Sequence, residues 1–327
     1  MRALDRARSA VVYHPGKLTG ARWGRILERE ERRTDRPPSL WLPTRAEETT
    51  ESLIERLEEA GGQEVEALIA AGGDGTVRLV AEAALRLGKP LGLWPVGSTN
   101  LFARNIGLPV LDPAAALRAG LAGTEHPVDV ISLSVVLAGG ERLHRIGLVL
   151  AGFGIDAQMV QHTSDAAKAQ LGWLAYVHGV RIGITRRDRF NLTYSLDGST
   201  PQDARLLTAA IGNGGVLPAG LVLLPDALVD DGRLDVLMLH PDGMRGWRDV
   251  ASWFVQENSL TRRLMRRRGL RRPLRTGPAV QLATAREIRM HLRRPEAFQV
   301  DGEYLGKATA VRAVVRPGAL TVRTSAD

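Results

Sequence analysis

The 327-residue chain contains no cysteine, which excludes disulfides, thiol nucleophiles and cysteine-held metals together. Lysine is nearly missing as well. Lys17, Lys89, Lys168 and Lys307 are the only lysines among 44 basic residues, so arginine carries the positive charge. The sequence also lacks any run of about 18 uncharged apolar residues, so no membrane span is expected. Met1 to Ala10 alternates charged and small residues without the apolar stretch of a signal peptide, which leads us to expect a cytoplasmic protein. What is present is ordinary for a folded protein: 44% hydrophobic and 24% charged residues, enough for one large or two moderate domains. The formal charge of +8 suits phosphate groups on nucleotides, nucleic acid or anionic lipid. Arginine-rich coding accounts for the ratio equally well. No nucleic-acid recognition motif accompanies the charge, so no nucleic-acid partner is expected.

The first part of the chain repeats strand, loop and helix. Val11 to Tyr13 reads as a strand ending at His14-Pro15-Gly16-Lys17. Thr44 with Glu47 forms a capping-box pattern ahead of a helix that ends before Gly61. Val65 to Ala70 is an apolar strand that runs into Gly72-Gly73-Asp74-Gly75-Thr76, followed by a helix to Gly88. Leu91 to Trp94 is another strand, followed by Pro95-Val96-Gly97-Ser98-Thr99-Asn100 and a short helix. Asp112-Pro113 opens a further helix, with Gly120 read as its stop. Such alternation indicates an α/β domain with a parallel sheet, both glycine-rich loops lying at its carboxyl edge. Beyond Val128 the pattern turns to strands, with hairpin signals at Ala138-Gly139-Gly140 and Asp197-Gly198 and a short strand at Leu221 to Leu224. Helical inserts are expected at Asp165 to Gly179 and Gly243 to Arg268.

A loop of small residues between strand and helix brings successive backbone N–H groups within reach of a phosphate. Gly72, Gly73 and Gly75 present no side chain to block approach, and Thr76 can donate a hydroxyl. Asp74 would repel a phosphate unless Mg²⁺ bridged the two. The other reading of these glycines is a tight turn with no ligand. The loop is neither a P-loop nor the spaced fingerprint of dinucleotide folds. Gly97, Ser98, Thr99 and Asn100 make a second donor-rich turn, in which Asn100 either bonds a ligand or caps the next helix.

These segments resemble the diacylglycerol kinase catalytic-domain family in its bacterial soluble lipid kinase branch. Gly72 to Thr76 matches the family's signature loop, and Pro95 to Asn100 with Phe102-Ala103-Arg104 is similar to its second signature. Gly152-Phe153-Gly154-Ile155-Asp156-Ala157, Gly212-Asn213, Pro225-Asp226-Ala227, Asp231 to Asp235 and Asp301-Gly302-Glu303 follow in the family's order. The resemblance implies an NAD-kinase-like α/β domain over residues 1–129 that binds ATP, rejoined by the C-terminal segment 314–327. It implies a mainly β, β-sandwich domain over 130–313 that covers the substrate. It further implies Mg²⁺-dependent phosphoryl transfer from ATP to the hydroxyl of a lipid such as diacylglycerol. Glu303 takes the place of the family's general base; read without the family, Asp301-Gly302 is a hairpin turn and Glu303 a solvated strand residue. Asp231 and Asp235 stand where the family holds a structural metal, though Asp231-Gly232 also reads as an ordinary turn. Asp129 matches an acidic member of the metal network, and a homodimer is in keeping with many relatives.

The sequence departs from the pattern in three places. Leu101 stands where the family often has Asp, Arg78 and Leu79 replace the Asn-Glu that follows the first loop in many relatives, and His14 to Lys17 replaces Asn-Pro-x-Ser-Gly. Lys17 either contacts phosphate or is a solvated loop residue. An NAD kinase would share the first loop without the later series, and a nucleotide- or lipid-binding regulator without catalysis is the rival that Leu101 motivates. Reversible, peripheral membrane association is expected through Arg181, Arg186, Arg187 and the run Arg262 to Arg272, with Trp173, Trp247, Trp253 and Phe254 near them in sequence.

Overall fold

The computed structural model describes residues 8–61, 64–154, 189–259 and 277–325. The chain divides into two compact units, one made of the residues up to Val130 with those from Pro317 onward, the other spanning Ile131–Arg316. It leaves the first unit within one strand and returns to it within another.

In the first unit, strands β1 (Ser9–Tyr13), β2 (Leu40–Pro43), β3 (Ala67–Gly72) and β4 (Leu91–Pro95) are parallel, in the order β4-β3-β1-β2. Every residue of β3 and β4 is buried, as central parallel strands covered on both faces require. Helices α1 (Arg22–Arg33), α2 (Thr50–Glu59), α3 (Asp74–Leu87), α4 (Leu101–Asn105) and α5 (Pro113–Ala122) complete the unit. α1 packs with α5 and α2 with α3. Val11, Leu27, Ile69, Trp94 and Leu117 belong to the apolar core. Because the chain steps from β1 outward to β2 and then back past β1 to β3 and β4, the strand order reverses beside β1. The loops after β1, β3 and β4 therefore crowd one carboxyl edge, where open α/β sheets take ligands.

Two local readings are corrected here. α2 begins at Thr50 because Thr49 Oγ1 accepts the Ser52 N–H at 3.2 Å, whereas Glu47 has φ +53° and stands outside any helix. Thr44 and Glu47 thus form no capping box. Gly120 does not stop α5 but lies inside it, where a methyl would stand 3.2 Å from Leu93 N and 3.3 Å from Gly92 Cα. Its role is close helix–strand approach, and Gly123 caps the helix instead. The expected cap at the other end is present: the Asp112 side chain accepts from Ala115 N–H at 3.0 Å, with Pro113 at the first helical position.

The second unit is built from β5 (Thr124–Leu137), β6 (Arg142–Gly147), β7 (Leu150–Phe153), β8 (Phe190–Leu196), β9 (Gln202–Leu206), β10 (Thr208–Gly212), β11 (Leu234–Leu239), β12 (Val280–Ala285), β13 (Glu287–Val300) and β14 (Glu303–Thr324), the first and last extending into the first unit. β12, β11, β10, β7, β13 and β14 follow one another; β5 joins β14 and carries β6, and β8 joins β13 and carries β9. A register shift between His291 and Glu296 divides β13, so its first half pairs with β8 and its second with β7. The inward residues, among them Leu133, Phe153, Leu192, Met290, Phe298 and Val311, make one core. Both expected hairpin turns form: Asp197 and Gly198 have φ +48° and +74°, and Gly140 N–H bonds Leu137 O at 2.9 Å. Leu221 to Leu224 makes only an isolated bridge at Val222, because the chain there is turned by a 3-10 segment at Pro218–Gly220. Helix α6 (Gly243–Glu257) supplies the first part of the second helical insert. The remainder of that insert and all of the first lie outside the described residues.

In the first unit, the end of β14 lies parallel to β4, Val322 pairing with Leu91. Arg323, 7% exposed, holds Glu66 at 2.8 Å, Glu125 at 3.1 Å and the Leu121 carbonyl at 3.0 Å. A methyl at Gly123 would lie 2.0 Å from Thr324 O, so this return is also sterically tight.

Candidate active site

The two glycine-rich loops of the first unit touch. A methyl on Gly97 would stand 2.7 Å from Gly73 Cα and 2.7 Å from Asn100 Oδ1, so Gly97 must remain bare for the loops to meet. Gly72 is required for a different reason: the Thr76 side chain folds back over it, and a methyl there would stand 2.5 Å from Thr76 Oγ1. Thr76 is accordingly buried. Gly73 and Gly75 have no such constraint. Gly73 is extended at φ −95°, ψ −173°, with Lys17 Cε the nearest atom a methyl would meet, at 3.5 Å; a methyl on Gly75 would meet nothing within 4 Å. Both stand at the start of α3, where unpaired N–H groups and the helix dipole favour an anion. Lys17, on the loop after β1, reaches over Gly73 and brings a cation to the same place.

Two polar side chains shape the loops. Asn100 adopts the left-handed conformation, φ +48° and ψ 51°, and uses both ends of its amide on one residue. Its Oδ1 accepts from Gly97 N–H at 3.0 Å, while Nδ2 donates to Gly97 O at 2.7 Å. It closes the loop rather than capping α4. That capping is done by Asp74, whose Oδ1 accepts from Leu101 N–H at 2.6 Å. The Asp74 carboxylate thus ties the first turn of α3 to the start of α4. Leu101 itself is buried, Ser98 is exposed, and Thr99 O accepts from Arg104 Nε at 2.8 Å.

In the second unit, Asp301-Gly302 is the two-residue turn between β13 and β14, with φ +49° and +86°. Glu303 follows as the first residue of β14 and is exposed. Asp301 does more than turn the chain. Its Oδ2 accepts from Leu148 N–H at 2.8 Å, its Oδ1 accepts from Val149 and Leu150 N–H at 2.8 and 2.9 Å, and its own N–H donates to Leu150 O at 2.7 Å. Asn213, fully buried, meets the same segment through its N–H on Val149 O at 2.9 Å. Sequence reasoning missed the Asp301 clamp; the legible signal was an aspartate at the first position of a two-residue turn between strands.

The acidic residues expected at metals are placed as follows. Asp231 Oδ1 accepts from Arg233 N–H at 3.0 Å across Gly232 at φ +70°, the geometry of a local turn. Asp235 is a buried residue of β11. Asp129, in the first unit, accepts from Gly318 N–H at 2.7 Å and helps fasten the returning strand. Among the described residues no three His, Asp or Glu side chains form a metal-holding group. Of the residues expected at a membrane, Arg181, Arg186, Arg187, Trp173 and the arginine run lie outside the described residues. Of the aromatic residues near them in sequence, Trp253 and Phe254 on α6 are buried and Trp247 is half-buried. No helix among the described residues is long and apolar enough to cross a membrane.

A doubly wound unit with paired glycine loops at its carboxyl edge, together with a mainly β unit bearing an Asp-Gly-Glu hairpin, defines the class of diacylglycerol-kinase and NAD-kinase-like folds. Residues 34–133 match the diacylglycerol kinase catalytic domain, and residues 149–247 match the YegS C-terminal NAD kinase beta sandwich-like domain. The chain belongs to the family of YegS-like probable lipid kinases. It is 33% identical over 267 residues to a probable lipid kinase YegS-like of Pseudomonas fluorescens strain Pf-5, covering 80% of this chain and 78% of that protein. A protein of the same description from Pseudomonas aeruginosa strain PAO1 is 38% identical over 199 residues, covering 58% of this chain and 60% of the relative's length. The fold is shared with a solved diacylglycerol kinase from Bacillus anthracis strain Sterne, at TM-score 0.64 and 17% identity over 98% of both chains.

Proposed function

We propose that this protein transfers the γ-phosphoryl group of ATP to the free hydroxyl of a membrane lipid, diacylglycerol or one of related chemistry. The observation that carries the reading is that Gly73 and Gly75 are bare where the fold does not need them to be, at a helix N-terminus beside a second glycine loop. Backbone N–H groups of this turn hold the phosphates, Gly97 to Asn100 forms the neighbouring wall, and Lys17 adds positive charge. Asp74 supplies one carboxylate. With no three-acid group among the described residues, the donor set fits an Mg²⁺ ion that arrives on the nucleotide, since this ion takes one or two carboxylates and fills the rest with phosphate oxygens and water. When bound, that ion neutralises charge on the transferring group. The lipid oxygen bonds to the γ-phosphorus, the bond to ADP breaks, and Glu303 takes the hydroxyl proton. Glu303 is assigned this part by its place in Asp301-Gly302-Glu303.

Incubation with ATP, Mg²⁺ and lipid extracts, followed by detection of phosphorylated lipid, tests the proposal. Wild-type protein yields product, Asp74→Asn loses it while remaining folded, and Glu303→Gln slows it by roughly 10²–10⁴-fold. Full activity in Glu303→Gln would remove its assignment as base. Leu101 favours one second reading, a nucleotide-binding regulator; ATP binding without product from any lipid would establish that instead.

A further inference from the structure

The second unit carries a groove of about 630 Å³ on the outer face of strands β6, β5, β14, β13 and β8. Arg142, His144, Arg289, His291 and Arg312 form its walls, and none of its lining residues is acidic. The strand register sets short side chains beside long ones on this face. Arg289 stands opposite Ser195, and His291 is flanked by Thr193 on one side and Ala310 on the other. Short side chains between long cationic ones leave a trough.

The cations are not core residues: the opposite face of these strands supplies Met290 and Val311 to the core, while the Arg289 and Arg312 side chains are 64% and 51% exposed. Arg289 and Arg312 are direct cross-strand partners, an arrangement of like charges that weakens a sheet. Glu287 offsets the repulsion by bonding Arg289 at 2.5 Å and Arg312 at 3.0 Å. Glu287, and Asp203 through its bond to the wall residue Thr193 at 2.5 Å, offset part of the charge of the three wall arginines. The wall guanidiniums still present forked N–H donors suited to the several oxygens of a phosphate monoester, which carries about −1.5 to −2 at neutral pH. The trough also presents apolar surface from Val136, Pro201 and Ala310.

We infer that this groove binds the phosphomonoester head of an anionic lipid, with the lipid's apolar part lying along the floor. Free phosphate would satisfy the walls and leave the floor wet, and a second copy of the chain would set arginines against arginines. The product of the proposed reaction has this chemistry, but the binding itself does not depend on catalysis.

Flotation of the full chain on phosphatidylcholine vesicles, without ATP, decides the matter. One set of vesicles contains phosphatidic acid and the other phosphatidylglycerol, matched in surface charge. Ala310→Trp fills the trough and keeps its charge, whereas Arg142→Gln removes an exposed wall cation and leaves the strand register alone. Wild-type protein floats at least about tenfold better with phosphatidic acid, and each variant loses roughly tenfold of that binding with an unchanged circular dichroism spectrum. Equal flotation on both anionic vesicles would reduce the effect to general charge attraction and overturn the inference. Unchanged binding by the variants would overturn it too, as would full release by inorganic phosphate, which would mark a free-phosphate site. If Ala310→Trp fails to fold, Arg142→Gln decides alone. Because no nucleotide is present, failure of the kinase reading leaves this result unaffected.

Discussion

The glycines of the first loop carry different burdens. Gly72 is bare because Thr76 packs on it, and Gly97 because Gly73 does. Gly75 has open space around it and helical backbone, so its small size serves something outside the chain. Gly75→Ala is therefore expected to hold or raise the stability of the fold, by up to about 1 kcal/mol of helix propensity, while weakening nucleotide binding. Calorimetry with and without ATP separates the two effects. Asp301 shows the converse case, a residue with a full internal task. Asp301→Asn would keep one acceptor oxygen and turn a second N–H donor toward Leu148 N–H, leaving at least one buried amide unpaired. A loss of about 2–4 kcal/mol is expected in urea denaturation. The glycine motifs could be read in the sequence because each is a contiguous run after a strand. The Asp301 clamp could not, since its partners lie about 150 positions away and only folding brings them together.

Among the elements, the bond pattern of Glu287 deserves a pH experiment. Arg312, and then Arg289, hold its carboxyl at about 2, well below the ordinary 4.5. A lowered folded pKa means that its contribution is complete above pH 4.5 and drains away as the pH falls toward 2. Glu287→Gln should lower the melting temperature at neutral pH and flatten its decline across that acid interval, as followed by circular dichroism. The strands bearing these residues were partly visible beforehand: Ile288 to Leu292 alternates apolar and polar residues in the period of two. The full length of β13 was not, because a register shift breaks that alternation between His291 and Glu296. Helix α2 was misplaced at its start for a comparable reason. Thr44 and Thr49 both have cap chemistry, and the positive φ of Glu47 decides between them.

At the scale of the molecule, the first unit is discontinuous in sequence and is closed by a strand that returns after the second. Arg323 is the fastening, with Glu66 on the loop before β3 and Glu125 at the start of β5 as its partners. Arg323→Ala should destabilise the first unit by about 2–4 kcal/mol, less than a wholly buried pair because Glu125 is half exposed. Chemical denaturation followed by the fluorescence of Trp94, a core residue of that unit, would register the loss. The alternation of strands and helices announced the parallel sheet, but no local pattern in Val322 or Arg323 names Leu91 or Glu66 as partner.

The discontinuity also sets a timetable for synthesis. When Val130 leaves the ribosome, the edge of β4 that Val322 will cover has no partner, and it waits until the whole of Ile131–Arg316 has been translated. The second unit, continuous in sequence, can complete its core first. A chain ending at residue 316 would thus have its second unit complete and its glycine loops on an unfinished sheet. Quality control, rather than chemistry, would meet that product first.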